Sequence, residues 1–360
     1  MILYSLLVQY HSYEVVNMIN VSIIGAASYT AGELLKLLIN HPEVKLVILE
    51  SSSSAGKKVA EVQPVLKNRV DITLQKYDIK SIAANSDLVF ICRSAGGSMK
   101  YVAELLNQSK KLRIIDVGSD FRLNNPKDYE VWYKYTHEEL GLLKQSVYGM
   151  PELYAKEIKT ARLIANPGCY ATSVILGLAP ILAKGLIYPN KISVAAYSGI
   201  SGAGRTYKSG FNMFLDLYGN IRPYKVALHQ HIPEIEQELT HVSGHPVKLT
   251  FIPHVLPIDK GILSTIFVQP KKKIDLDEII AVYTKFYQGK PFIRIYGKTE
   301  FPQVAYVVNT NFCDIGLAID NRTGAIIIFS AIDNSIKGAG GQAIQNMNLM
   351  FGLPETTGLL

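Results

Sequence analysis

Between Val21 and Asp116 the chain alternates short β-rich runs with helical ones, and this alternation limits its fold more than any other feature. "VSII", "VKLVILE", "DLVFIC" and "LRIID" have the length and residue types of strands. "AGELLKLLI" and "SMKYVAELLNQ", between them, place apolar residues at helical spacing. Parallel strands need such crossovers, so the pattern predicts a parallel sheet covered by helices on both faces. After Cys169 the grammar changes. "KISVAAYS", "VKLTFIP", "ILSTIFVQ", "QVAYVVN", "CDIGLAI" and "AIIIFSAI" read as strands, mostly without helices between them. They predict an α+β unit with a large, mainly antiparallel sheet. A last stretch of helical spacing, Ala343 to Met350, is expected to pack back on the first unit.

Composition narrows the class further. The 360 residues are 48% hydrophobic and 19% charged, which suits two folded domains with sizeable cores. The net charge of +7 is dispersed apart from Lys271–Lys273. That argues against a nucleic-acid surface and suits an enzyme whose ligands carry phosphates. No apolar run reaches the ~18 residues of a membrane span. Cys92, Cys169 and Cys313 are too few and too scattered for a disulfide framework or a metal site, so a reducing, cytoplasmic setting is expected. "MINVSIIGAASYTAGEL" reads as a natural start, which makes residues 1–17 an extension.

"GAASYTAG", Gly25 to Gly32, lies between the first strand and the first helix. A dinucleotide-binding fold puts its pyrophosphate there, on the backbone N–H groups of the helix start. Ala27 and Thr30 occupy the second and third glycine positions of G-x-G-x-x-G, and Ser28 and Tyr29 complete the turn. At the end of the second strand two cofactor readings compete. Glu50 suits a ribose 2′-hydroxyl and NAD. "SSSSAGKK", with the hydroxyls of Ser51 and Ser53 and the charges of Lys57 and Lys58, suits a 2′-phosphate and NADP, the reading favoured here.

"NPGCYAT" sets a tight turn before a buried apolar helix, with Cys169 in its first turn. Free N–H groups and the helix dipole stabilise an anion there, so a lowered thiol pKa and a nucleophilic thiolate are expected. A packed structural cysteine would sit inside the run. Cys92 and Cys313, at the ends of strands, fit that description. A thiol nucleophile needs a base. In "HQHIPEIEQEL" His229 and His231 precede a helix whose first turn holds Pro233 and Glu234, and Glu234 is placed to orient one imidazole.

These stretches, with "SGISGAGR" (198–205), "FIPHVLPIDKGILSTI" and "DNSIKGAGGQAIQNMNLMFGLPETTGL", resemble the N-acetyl-γ-glutamyl-phosphate reductase family, relatives of aspartate-semialdehyde dehydrogenase, from Met18 to Leu360. The resemblance implies a Rossmann-type NADP(H)-binding domain (18–168 with 333–360) and a catalytic, oligomerising α+β domain (169–332). It implies an acyl-phosphate substrate, a Cys169 thioester, and a homodimer or homotetramer. His231 matches the acid–base histidine, with His229 as second choice. "DVGSDFRL" places Ser119 and Arg122 at the substrate, with Arg122 on the leaving phosphate. The glycine loop brings Ser201 and Arg205 to substrate anions, and Asn334 lies near the nicotinamide.

Three positions depart from the family pattern. Ser28 stands for a glycine, Ser52 for the arginine of "SRS" that suits a 2′-phosphate, and "ICRSAGGSM" for A-L-P-H-G, giving Arg93 a new role. Sibling acyl phosphates (N-succinyl-glutamyl or carrier-linked aminoadipyl) and a catalytically dead dinucleotide sensor are the competing readings.

Overall fold

A computed structural model of the chain describes residues 18–203 and 217–360. Residues 1–17 and Arg205, both named above, lie outside the described residues.

Six parallel strands form the first sheet: β1 Ile19–Ile24, β2 Val44–Glu50, β3 Leu88–Ile91, β4 Arg113–Asp116, β5 Val147–Tyr148 and β6 Leu163–Ala165. Their order is β2-β1-β3-β4-β6-β5. The chain leaves β1 toward β2 and then returns to the other side of β1 as β3. That reversal opens a crevice at the carboxyl ends of β1 and β3, where α/β sheets bind ligands. The helix Tyr29–Leu38 crosses from β1 to β2 and buries Leu34, Leu35 and Leu38 on the sheet. Ala343, Ile344 and Met347, from the closing helix Gly341–Met350, join the same core as Val21 and Leu34, as the spacing predicted.

The second sheet has seven strands: β7 Ile187–Ser198, β8 Arg222–Pro223, β9 Leu249–Val255, β10 Ile262–Pro270, β11 Ile293–Ile295, β12 Cys313–Asp320 and β13 Ala325–Ile332. They lie in the order β11-β12-β13-β10-β7-β9-β8. The β7–β9 and β11–β12 pairs are parallel and the rest antiparallel. The helix Cys169–Ala183 packs on one face, where Ser173 donates to the Ser330 carbonyl and pairs with Ser264. On the opposite face Leu263, Thr265, Phe267, Ile327 and Phe329 are only partly buried or exposed.

Two readings of this region change. "QVAYVVN" is not a strand, because Val304–Val307 forms a single helical turn. Val304 and Val307, three apart, both face inward while Ala305 and Tyr306 are exposed; a strand would send the two valines to opposite faces. The helix Leu276–Phe286 interrupts the run of strands and leads into Tyr287. Pro180, inside the cysteine helix, cannot donate to the Leu176 carbonyl, and the Tyr287 hydroxyl supplies that bond at 2.6 Å. The Tyr283 hydroxyl donates to the next carbonyl, that of Gly177, at 2.6 Å.

Candidate active site

Asn166-Pro167-Gly168 turns the chain out of β6, and Cys169 is the first residue of its helix, as predicted. Gly168 caps the helix without a side chain. Its N–H donates instead to Glu234 Oε1 at 2.8 Å. A Cβ at Gly168 would collide with His231 Nε2, so the glycine lets the imidazole lie on the backbone beside the cysteine. On the other side, a Cβ at Gly338 would come within 2.7 Å of Cys169 Cβ. Gly338 belongs to a π-helical turn, Ile336–Gly340, whose first amides are held by Asp333.

The second helix begins at His231 itself and runs to Ser243. The His231 N–H donates to His229 Nδ1 at 3.1 Å, which leaves the His229 proton on Nε2. His229 is thus tied to the backbone, whereas His231 Nδ1 has no partner among the described residues. Burial, with the Arg122 and Lys225 charges, holds the His231 imidazole well below its usual range. Burial beside His231 pushes His229 down to about 2. Both rings are therefore neutral, and a neutral imidazole accepts a proton.

Glu234 differs from expectation. Fully buried, it accepts from Gly168 N–H and, at 2.7 Å, from the Tyr148 hydroxyl, and it pairs with Arg122 at 3.6 Å. It supports the cysteine turn and the arginine rather than a histidine, and it does not line the cavity. The thiol differs too. Burial pushes Cys169 up to about 11, outweighing the Tyr170 N–H and the Arg122 charge that pull it down. Burial thus raises the thiol where the helix start was expected to lower it, and His231 lines the same cavity.

A cavity of about 690 Å³ joins Cys169, His231, His229, Arg122, Ser201 and Asn334 to Thr30 in the first helix. Arg122 donates to the Asn166 carbonyl at 2.7 Å and is buried behind the cysteine turn. Asn334 donates to Ser201 Oγ at 3.0 Å and accepts from the Gly261 N–H. Ser119 is buried outside the cavity, its carbonyl accepting from Tyr129. Sequence reasoning missed Arg222 and Lys225, which add positive charge to the cavity wall. No motif marks them; "IRPYK" reads as an ordinary loop, and only the fold brings it here.

Gly25, Ala27, Ser28, Tyr29, Ser51, Ser53 and Lys57 lie outside that cavity, around the carboxyl ends of β1 and β2. Ser28 caps the first helix, accepting from Ala31 N–H, and Tyr29 bonds Ser201. Ser51 and Ser53 pair at 3.4 Å, and Lys57 is exposed. Glu50 is committed elsewhere: it is fully buried, Oε2 accepts from Gly25 N–H and Arg93, and Oε1 from Ser52. Both of its oxygens are engaged within the protein and neither is exposed to a ribose hydroxyl. A dinucleotide fits the remaining features: a cavity that runs from the cysteine to Thr30 in the opening turn of the first helix, and a buried Arg93 Nε without a partner among the described residues.

Residues 20–161 match the family model "Semialdehyde dehydrogenase, NAD binding domain", and residues 169–334 match "Semialdehyde dehydrogenase, dimerisation domain". The N-acetyl-gamma-glutamyl-phosphate reductases of Geotalea daltonii and Pelotomaculum thermopropionicum are each 46% identical to the chain. The alignments span 95% of this chain and 98% and 97% of theirs. In fold, the chain is similar to aspartate semialdehyde dehydrogenase II of Vibrio cholerae (TM-score 0.71, 18% identity, 93% and 99% of the two chains). It is also similar to the NADP-bound aspartate semialdehyde dehydrogenase of Candida albicans (TM-score 0.64, 16% identity, 93% and 98%). The chain belongs to the N-acetyl-γ-glutamyl-phosphate reductase family, within the semialdehyde dehydrogenases.

Proposed function

We propose that the chain reduces N-acetyl-γ-glutamyl phosphate to N-acetylglutamate 5-semialdehyde and phosphate in arginine biosynthesis, with Cys169 as nucleophile and His231 as acid–base. The observation that carries this reading is a cysteine at a helix mouth, against a neutral histidine, in a cavity walled by Arg122, Arg222 and Lys225. As the substrate carbonyl approaches, the thiol proton passes to His231 and the sulfur–carbon bond forms. The carbon–oxygen bond to phosphate then breaks, leaving a thioester. Three cations suit a substrate carrying both a phosphate and a carboxylate. NADPH, when bound, supplies the hydride that converts the thioester to the aldehyde level. His231 then holds the proton that the reacting oxygen or sulfur needs as the product leaves. Glu234 fixes Gly168 and Arg122 beneath these steps.

Residues 18–168 with 333–360 serve as the cofactor domain, with the first-helix turn (Gly25 to Thr30) and Asn334 as its contacts. Residues 169–332 serve catalysis and association. The open face around Phe267 supports a homodimer or homotetramer through the second sheet, and a light-scattering mass of one protomer would sink that. The setting is cytoplasmic; among the described residues no helix is long and apolar enough to cross a membrane.

The test is oxidation of N-acetylglutamate 5-semialdehyde, followed as NADPH absorbance. A rate that needs both phosphate and NADP⁺ is expected. A preference for the N-succinyl compound or for NAD⁺ would change the substrate or cofactor, and no rate with any pair would favour a dead sensor.

A further inference from the structure

Two of the departures from the family pattern, Arg93 and Ser52, meet on one carboxylate. Arg93, in the loop after β3, reaches across the end of β1 to β2, and its Nη2 pairs with Glu50 Oε2 at 2.7 Å. The same carboxylate accepts from Ser52, the residue that stands where a cation is expected. Gly25 lies beneath this crossing: at φ +83° it turns away from β1, and a Cβ there would collide with the Cys92 carbonyl.

We propose that Arg93 is the NADP-selecting residue of this chain, its guanidinium binding the 2′-phosphate of the cofactor in place of the cation missing at Ser52. This rests on reading the β1–β3 crevice as the NADP site. Dinucleotide folds place the adenosine ribose over the end of β2, and an arginine there accommodates a 2′-phosphate where an acid would bind a 2′-hydroxyl. Here both are present, but the acid is fully buried and both of its oxygens already accept within the protein. Arg93 keeps capacity: its side chain is 27% exposed, and Nη2 alone holds Glu50 and, at 3.4 Å, Tyr101. The Tyr101 ring, 5.1 Å from the guanidinium carbon, backs its plane and fixes its direction. A planar donor fork so restrained suits a phosphate better than a mobile lysine does.

The experiment is calorimetric titration of the full chain with NADP⁺, NAD⁺, 2′,5′-ADP and 5′-AMP. It compares wild type, Arg93→Leu, and the double variant Arg93→Leu/Glu50→Gln, which leaves no unpaired buried acid. Both variants should lose about 10- to 100-fold in affinity for NADP⁺ and 2′,5′-ADP, the value of a charged hydrogen-bonded contact. Their affinities for NAD⁺ and 5′-AMP should stay within about twofold of wild type. Equal loss for phosphorylated and unphosphorylated nucleotides would make Arg93 a structural prop for the loop and overturn the proposal. Unchanged NADP⁺ affinity would overturn it too. Wild type that binds neither dinucleotide would instead remove the cofactor-site reading on which it rests.

Discussion

Two helices start directly after parallel strands at the carboxyl edge of the first sheet, and they are finished in opposite ways. Tyr29–Leu38 is capped locally, by the side chain of the preceding Ser28. Cys169–Ala183 has no cap of its own; a buried carboxylate 66 residues downstream takes the Gly168 N–H. The local cap needs only a polar residue one position before the helix, and it takes one first-turn amide, Ala31 N–H. The distant cap ties the cysteine turn to Arg122, Tyr148 and the histidine helix in one buried unit. On the function proposed above, the first mouth would bind and the second would react.

The sharpest way to break that contrast is to remove the sulfur. Cys169→Ala should lower turnover by about 10⁵-fold, as expected for loss of a nucleophile, with NADP⁺ affinity within about twofold of wild type. Residual turnover near wild type in the absorbance assay would remove the thioester mechanism. Because the thiol is raised to about 11, wild-type alkylation by iodoacetamide should be slow at pH 7 and climb steadily toward pH 11. A plateau already reached by pH 7 would mean that a thiolate is preformed.

Removing the distant cap comes next. Glu234→Ala leaves Arg122 and the Gly168 N–H buried without their acceptor, and should destabilise the fold by about 3 kcal/mol. Glu234→Gln keeps an acceptor, so calorimetry should place it between the two. Equal melting temperatures for Glu234→Ala and wild type would show that the two mouths are not built differently.

A smaller effect comes with acid. His229 and His231 titrate near 6.5 when unfolded but lie far lower in the fold, so below pH 6.5 the unfolded chain binds more protons. Stability is full above that pH and is lost as pH falls. At pH 5 the His229 share alone is on the order of 2 kcal/mol. Denaturant midpoints that stay flat from pH 7 to pH 5 would contradict neutral buried imidazoles. The smallest effect belongs to the local cap. Ser28→Ala should cost about 1 kcal/mol in denaturant unfolding and leave turnover at saturating NADPH unchanged. A loss as large as that of Glu234→Ala would erase the contrast.

Much of this was legible in the sequence. Alternating runs before Asp116 predicted the parallel sheet, because the two periods separate strand from helix without tertiary help. "NPGCYAT" put the cysteine at a helix start, because Pro and Gly fix a turn locally. The "QVAYVVN" turn was not legible, since a five-residue apolar run fits either period until its neighbours choose. Arg222 and Lys225 were not legible either, since nothing local distinguishes a cation that faces a cavity from one that faces water.

What the sequence determined by itself was whatever rests on contacts within a few residues: the strands and helices of the first domain, the Ser28 cap, and the position of Cys169 in its helix. The tertiary structure decided which charges stand alone. Glu50 looked free for a ribose and Glu234 for a histidine, yet both are committed to Gly25, Arg93, Gly168 and Arg122. The thiol expected to be lowered is instead pushed up by burial. Burial and pairing are long-range properties, and in a low-dielectric interior they outweigh the local fields that a sequence displays.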